Sequence, residues 1–177
     1  MKILTIGAST SSSSINAQLA NYAAGLVPQA DVTPLPLEQF SLPIYSEDEE
    51  KENGHPEDAQ KFLDAIAAHD GVVLSLAEHN GSYTSAFKNI YDWASRIEQN
   101  VWQQKPMLLL STSPGGRGGA TVMEAGKATF PRMGAELAAS FILPSFYDHF
   151  SENGISDPEL SSQLHEAVET FANSLAS

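Results

Sequence analysis

Short apolar runs alternate along this chain with longer stretches in which apolar residues return at three- and four-residue spacing. The runs Lys2–Gly7, Asp31–Leu37, Gly71–Ala77, Pro106–Thr112 and Leu137–Leu143 predict strands. The stretches Ile15–Leu26, Pro56–Ala68, Thr84–Gln99, Thr121–Arg132 and Pro158–Ala176 predict helices. Val72-Val73-Leu74 and Met107-Leu108-Leu109-Leu110 are apolar without alternation, the pattern of central parallel strands covered on both faces. Within the fourth helix region, Phe87, Ile90, Ala94 and Ile97 form a buried stripe flanked by Trp93, which is read as a packing residue of the core or of a subunit contact.

Strand and helix alternate, so the fold class is α/β with a parallel sheet. Five strands with ligand-type loops after the first, third and fourth fit the flavodoxin-like, doubly wound order 2-1-3-4-5, with helices on both faces. In that fold a mononucleotide sits at the switch point between strands one and three. The segment Ser46–His55, which contains Glu47-Asp48-Glu49-Glu50, is read as a solvated loop, because like charges at this density resist burial.

The loop after the first strand is Ala8-Ser9-Thr10-Ser11-Ser12-Ser13-Ser14-Ile15-Asn16. A strand feeding a loop that opens a helix aims unpaired N–H groups and the positive end of the helix dipole at one point. Ser9, Ser11, Ser14 and Asn16 add neutral donors, which suits a phosphomonoester; plain helix capping by soluble serines is the alternative. No P-loop lysine and no Gly-x-Gly-x-x-Gly follows. The second loop, Glu78-His79-Asn80-Gly81-Ser82, turns at Asn80-Gly81 before a helix that Ser82 or Thr84 can cap. The third, Ser113-Pro114-Gly115-Gly116-Arg117-Gly118-Gly119, has the glycines of a backbone that approaches a ligand closely. Arg117 is read either as a contact for an anionic substrate or as an exposed solubilising side chain. Together the loops ask for a ligand with a phosphate and a flat heteroaromatic ring, as in flavin mononucleotide (FMN).

Composition narrows the classes. At 177 residues and 42% hydrophobic, the chain is most simply one folded domain, 1–177. A formal charge of −13 argues against nucleic acid or an anionic membrane as partner. Cysteine is absent, which removes disulfides and thiolate chemistry. The apolar start is too short for a signal-peptide core and no later run reaches span length, so a cytoplasmic location is expected. His55, His69, His149 and His165 lack ligand-spaced neighbours, so no metal site is expected.

The motifs resemble the NADPH-dependent FMN reductase family of flavodoxin-like quinone, chromate and azo-dye reductases. Ser9, Ser14 and Asn16 match that family's phosphate loop. Leu42-Pro43-Ile44-Tyr45 resembles its Leu-Pro-x-Tyr element. Glu78–Ser82 and Phe87-Lys88-Asn89-Ile90-Tyr91-Asp92-Trp93 resemble its Pro-Glu-Tyr-Asn-x-Ser loop and the helix that follows, and Ser113–Gly119 resembles its ring-binding turn. The resemblance covers most of the chain. It implies bound FMN, NAD(P)H as hydride donor, and a small-molecule acceptor such as a quinone, nitro or azo compound. It also implies a homodimer or homotetramer, with Thr84–Gln99 as the candidate interface. The cofactor site it implies comprises Ser9, Ser11, Ser14, Ile15, Asn16, Glu78, His79, Asn80, Gly81, Ser82, Ser113, Pro114, Gly115, Gly116 and Arg117. No side chain is assigned as catalytic, because the flavin carries the chemistry.

Two departures stand out. Ser11 occupies the position where the family usually has arginine, a loss of roughly 1.5–3 kcal/mol of charge-assisted contact. His79 stands where the family often has tyrosine. Three other readings remain open at this level: an electron carrier without its own NAD(P)H turnover, a flavodoxin-like module without FMN, and an SGNH-type ester hydrolase built on Ser9, Asn80 and His149. In the last, Asp148 is adjacent to His149 rather than three residues before it.

Overall fold

The computed structural model describes residues 1–176. In chain order its elements are β1 (Lys2–Gly7), α1 (Ile15–Gly25), β2 (Asp31–Pro34), α2 (Glu47–Asn53), α3 (Glu57–Ala67) and β3 (Gly71–Leu76). Then come β4 (Glu78–His79), β5 (Ser82–Tyr83), α4 (Ser85–Ile97), β6 (Lys105–Thr112) and α5 (Ala120–Thr129). The chain continues through β7 (Ala135–Leu143), α6 (Phe146–His149), β8 (Phe150–Ser151), β9 (Gly154–Ile155) and α7 (Pro158–Leu175). The principal sheet runs β2-β1-β3-β6-β7, with every pairing parallel. Counting only these five strands, this is the expected 2-1-3-4-5 order.

The alternating geometry of strands divides the core into two layers. Leu4, Ile6, Val72, Leu74, Leu76, Met107 and Leu109 pack with Phe62 and Ile66 of α3, Phe87 and Ile90 of α4, and Val122 and Met123 of α5. Ile3, Val73, Leu108 and Leu110 face the other way, onto Leu19 and Ala23 of α1 and Leu164, Val168 and Phe171 of α7. Every residue of β3 is buried, which explains its unbroken apolar sequence. β2 is shorter than the sequence predicts. It ends at Pro34, Pro36 follows, and the chain enters a 3-10 turn at Leu37–Gln39; proline at these positions withholds ladder donors.

One expectation is corrected. The acidic segment after Ser46 is not a loop but helix α2, with no buried residue. The Ser46 hydroxyl accepts the Glu49 N–H at 3.1 Å as its cap, and Glu47, Asp48, Glu49 and Glu50 occupy the first turn. Negative charge there is favoured by the positive end of the helix dipole. Lys51 closes an i,i+4 pair with Glu47. The segment is solvated, as its charge requires, and helical because of where in the helix the charge falls.

Candidate ligand site at the switch point

The carboxyl ends of β1, β3 and β6 converge on a cavity of about 240 Å3. Gly7 sets its first wall: a Cβ at that position would collide with the Ala17 backbone, so only glycine lets α1 close this tightly on β1. The serine loop is thereby held against the start of an eleven-residue helix. The Ser14 hydroxyl oxygen caps α1 by accepting the Ala17 N–H at 3.1 Å, which leaves its own hydrogen to donate. Gln18 makes the first backbone bond to Ser14 O, so the N–H groups of Ile15 and Asn16 are the open donors of the helix end.

The loops are tied to one another by buried polar contacts. Asn16 is 3% exposed. Its Oδ1 accepts from Ser75 Oγ at 2.7 Å and from the Thr112 N–H at 3.1 Å, and its Nδ2 donates to Thr112 O at 3.2 Å. One side chain thus bridges the helix start to β3 and β6. Thr84 Oγ1 donates to Ala8 O at 2.7 Å, joining the start of α4 to the serine loop. Thr112 Oγ1 donates to Leu143 O at 2.7 Å, and Glu78 Oε2 accepts the Val122 N–H at 2.8 Å at the start of α5. A site framed this way needs little reorganisation when a ligand enters.

Of the residues expected at the site, the cavity gathers Ser9, Ser11, Ser14, Ile15, Asn16, Glu78, His79, Ser113 and Pro114. Asn80, Gly81, Ser82, Gly115, Gly116 and Arg117 lie outside its lining. Asn80 and Gly81 have φ of 52° and 75°, the left-handed pair of a two-residue hairpin turn between β4 and β5. This exposed tip stands beyond the cavity. Arg117 is exposed and donates from Nη2 to Thr121 Oγ1 at 3.0 Å. Ser13, Ala77, Thr112 and Tyr147 complete the lining without having been anticipated. Thr112 and Ala77 adjoin loops already singled out, whereas Tyr147 arrives from beyond β7 and carries no local signal.

No lysine or arginine is among the lining residues. The donors are hydroxyls and backbone N–H groups, a set suited to an anion held by neutral groups at a helix start. Ser9 Oγ accepts the Ser11 N–H at 3.2 Å, and among the described residues no hydrogen bond links Ser9 with His149 or Asn80. Neither Asn80 nor His149 is among the residues that line the cavity with Ser9.

The Leu42–Tyr45 segment is clamped on α4. Trp93 Nε1 donates to Pro43 O at 2.7 Å, Asn89 Nδ2 donates to the same oxygen at 2.9 Å, and Asn89 Oδ1 accepts the Tyr45 N–H at 2.9 Å. Glu50 of α2 accepts from Tyr45 Oη at 3.0 Å and from Arg96 Nε at 3.1 Å, and meets His55 Nε2 at 3.0 Å. The His55 contact, with those of Tyr45 and Arg96, holds the Glu50 carboxyl below its ordinary range. Behind this clamp, burial pushes the Tyr91 phenol up to about 12.

A family model described as NADPH-dependent FMN reductase matches residues 1–153. Over 121 residues the chain is 37% identical to a 2-hydroxy-1,4-benzoquinone reductase of a Burkholderia species, covering 68% of this chain and 64% of that protein. It is 31% identical over 121 residues to a quinone reductase of Escherichia coli strain K12, with the same two coverages. The aligned part therefore spans 64% of the length of these curated relatives. Among solved structures, the flavoenzyme NAD(P)H:(acceptor) oxidoreductase of Paracoccus denitrificans superposes with a TM-score of 0.76 at 24% identity. That match covers 99% of this chain and 97% of the other, and it shows the shared fold.

Proposed function

The chain belongs to the NADPH-dependent FMN reductase family, and from that premise we propose that it is an FMN-dependent NAD(P)H oxidoreductase acting on a quinone, nitro, azo or similar acceptor. The observation that carries this reading is the convergence of three donor-rich loops, with no lysine or arginine among the lining, at the switch point of a doubly wound sheet. The residues fit FMN. Ser9, Ser11, Ser14 and the open N–H groups of Ile15 and Asn16 would hold the phosphate. Glu78 and His79, with Asn80–Ser82 and Ser113–Arg117 on the open rim, would flank the ring.

When bound, the flavin supplies the redox chemistry that joins a hydride donor to an acceptor. The chain's own part is placement and electrostatics. The backbone N–H groups of the Asn80–Ser82 tip and the Gly115–Arg117 turn would stabilise negative charge that develops on a ring lying against them. The open rim would let NAD(P)H and the acceptor visit the same face in turn, and Arg117 would meet the anionic donor. The proposed unit is one flavodoxin-like domain, 1–177, assembled as a homodimer or homotetramer through the exposed side of α4. No helix among the described residues is long and apolar enough to cross a membrane, and we assign the protein to the cytoplasm.

The test is anaerobic mixing of FMN-loaded protein with NADH or NADPH, followed by a quinone. The expected result is bleaching of the flavin absorbance and its return on adding the acceptor, with ping-pong kinetics. Flavin that binds but stays oxidised under NAD(P)H would make the protein an electron carrier instead. Absence of saturable FMN binding at micromolar concentration would remove the cofactor from the reading.

A further inference from the structure

We propose that Tyr147 donates its phenolic O–H to the FMN phosphate, supplying from the turn after β7 the contact that Ser11 leaves open on the serine loop; this rests on the FMN-binding function above. Tyr147 lines the same cavity as Ser9, Ser11, Ser13 and Ser14. It is 72% exposed, and among the described residues its hydroxyl has no hydrogen-bond partner. A large aromatic with a free donor at the mouth of a polar cavity is a side chain placed for a ligand.

Its placement is built into the backbone. Ser145 sits in the left-handed region at φ 44° and ψ 60°, a strained conformation for a residue with a Cβ. The Ser145 N–H donates to Gly115 O and the Phe146 N–H to Ser113 O, each at 3.0 Å. These bonds tie the start of α6 to the turn after β6. Phe146 is buried, stacks on Phe150 with ring centroids 4.7 Å apart, and meets Tyr147 edge-on at 5.5 Å. The strained residue turns α6 back toward the cavity, the two hydrogen bonds hold it there, and Tyr147 is the side chain so presented.

The chemistry also fits the composition of the lining. A phosphate here would meet hydroxyls, backbone N–H groups and a helix dipole, but no guanidinium or ammonium. A phenol is a stronger donor than a serine hydroxyl and, with its rigid ring, loses little freedom on binding. It therefore substitutes part of what an arginine at position 11 would provide, without the charge.

Tyr147→Phe removes one oxygen and keeps the exposed ring, so the fold should persist, as circular dichroism and the thermal midpoint will report. FMN and riboflavin affinities are then measured by flavin fluorescence in the absence of pyridine nucleotide. The expected result is a loss of about tenfold to a hundredfold in FMN affinity, the range of one hydrogen bond to a charged acceptor, with riboflavin unchanged. Adding Ser11→Arg to that variant is expected to recover FMN binding. Unchanged FMN affinity in Tyr147→Phe overturns the proposal, as do equal losses for both flavins, which would make the residue a stacking surface. An effect confined to the KM for NAD(P)H also overturns it, by assigning the hydroxyl to the donor's phosphates. Failure of Ser11→Arg to recover binding overturns the claim that the two side chains serve one phosphate. Titration of the parent protein separates these results from failure of the function itself: a parent that binds no FMN ends both.

Discussion

At the scale of single residues, Asn16 and Ser14 look alike in the sequence and do different work. Both sit at the end of a serine-rich loop, and both match polar positions of a phosphate motif. Asn16 spends its amide on Ser75 and Thr112, deep under the site, so it holds the cradle together and leaves only its backbone N–H for a ligand. Ser14 uses its oxygen as the cap of α1 and keeps its hydrogen. Ser14→Asp is therefore informative: aspartate caps as well as serine, so folding should be retained. A carboxylate placed roughly 4 Å from a phosphate is repelled by about 4 kcal/mol per charge pair at a surface-like dielectric. After screening, FMN affinity is expected to fall by at least about a hundredfold, since ~1.4 kcal/mol is tenfold, while riboflavin binding changes little. Parallel titration with the two flavins checks this; equal affinities for FMN before and after would remove the serine loop from the phosphate site. The serine loop stands out in the sequence because hydroxyls at a strand-to-helix turn either cap the helix or face a ligand, and Ser14 does the first. The brace made by Asn16 was not, because its partners lie 59 and 96 positions away.

At the scale of elements, α2 shows how position changes the meaning of charge. Four acidic residues in a row suggest repulsion, yet at a helix start they oppose a dipole of the right sign. The helix buries none of its own residues, so its position depends on Glu50, which ties it to Tyr45 and Arg96. The Glu50 carboxyl lies below its ordinary 4.5 because of His55 first, then Tyr45 and Arg96. A depressed carboxylate contributes stability that is fully present above its unfolded value and is lost as pH falls through the native one. Docking of α2 should accordingly loosen below about pH 4.5. Tyr45 lies edge-on to Trp93 with centroids 5.0 Å apart, so tryptophan emission can follow the change. Glu50→Gln is expected to shift that emission at neutral pH and to flatten its acid transition. An unaltered transition in the variant would place the titrating group elsewhere.

At the scale of the whole molecule, the net charge of −13 opposes the approach of any anionic cofactor, and the cavity holds no lysine or arginine to reverse that field locally. Raising ionic strength from about 0.01 to 0.15 M shortens the screening length from roughly 30 to 8 Å. FMN association, followed by stopped-flow fluorescence, should consequently become faster with salt, whereas a site steered by arginine would become slower. A rate that falls with salt would contradict the neutral-donor account. The same scale separates what the chain states locally from what it states only when folded. By itself the sequence determined the α/β alternation, the five parallel strands, the loops at the carboxyl ends of three of them and the turn at Asn80-Gly81, because strand and helix periods and turn chemistry are written within a few residues. Tertiary structure alone decided that Asn16 faces inward, that the acidic helix docks through Glu50 on Arg96 and that Tyr147 lines the cavity. Each depends on segments distant in sequence meeting across the sheet, and no local period or spacing encodes which distant partner a polar side chain will meet.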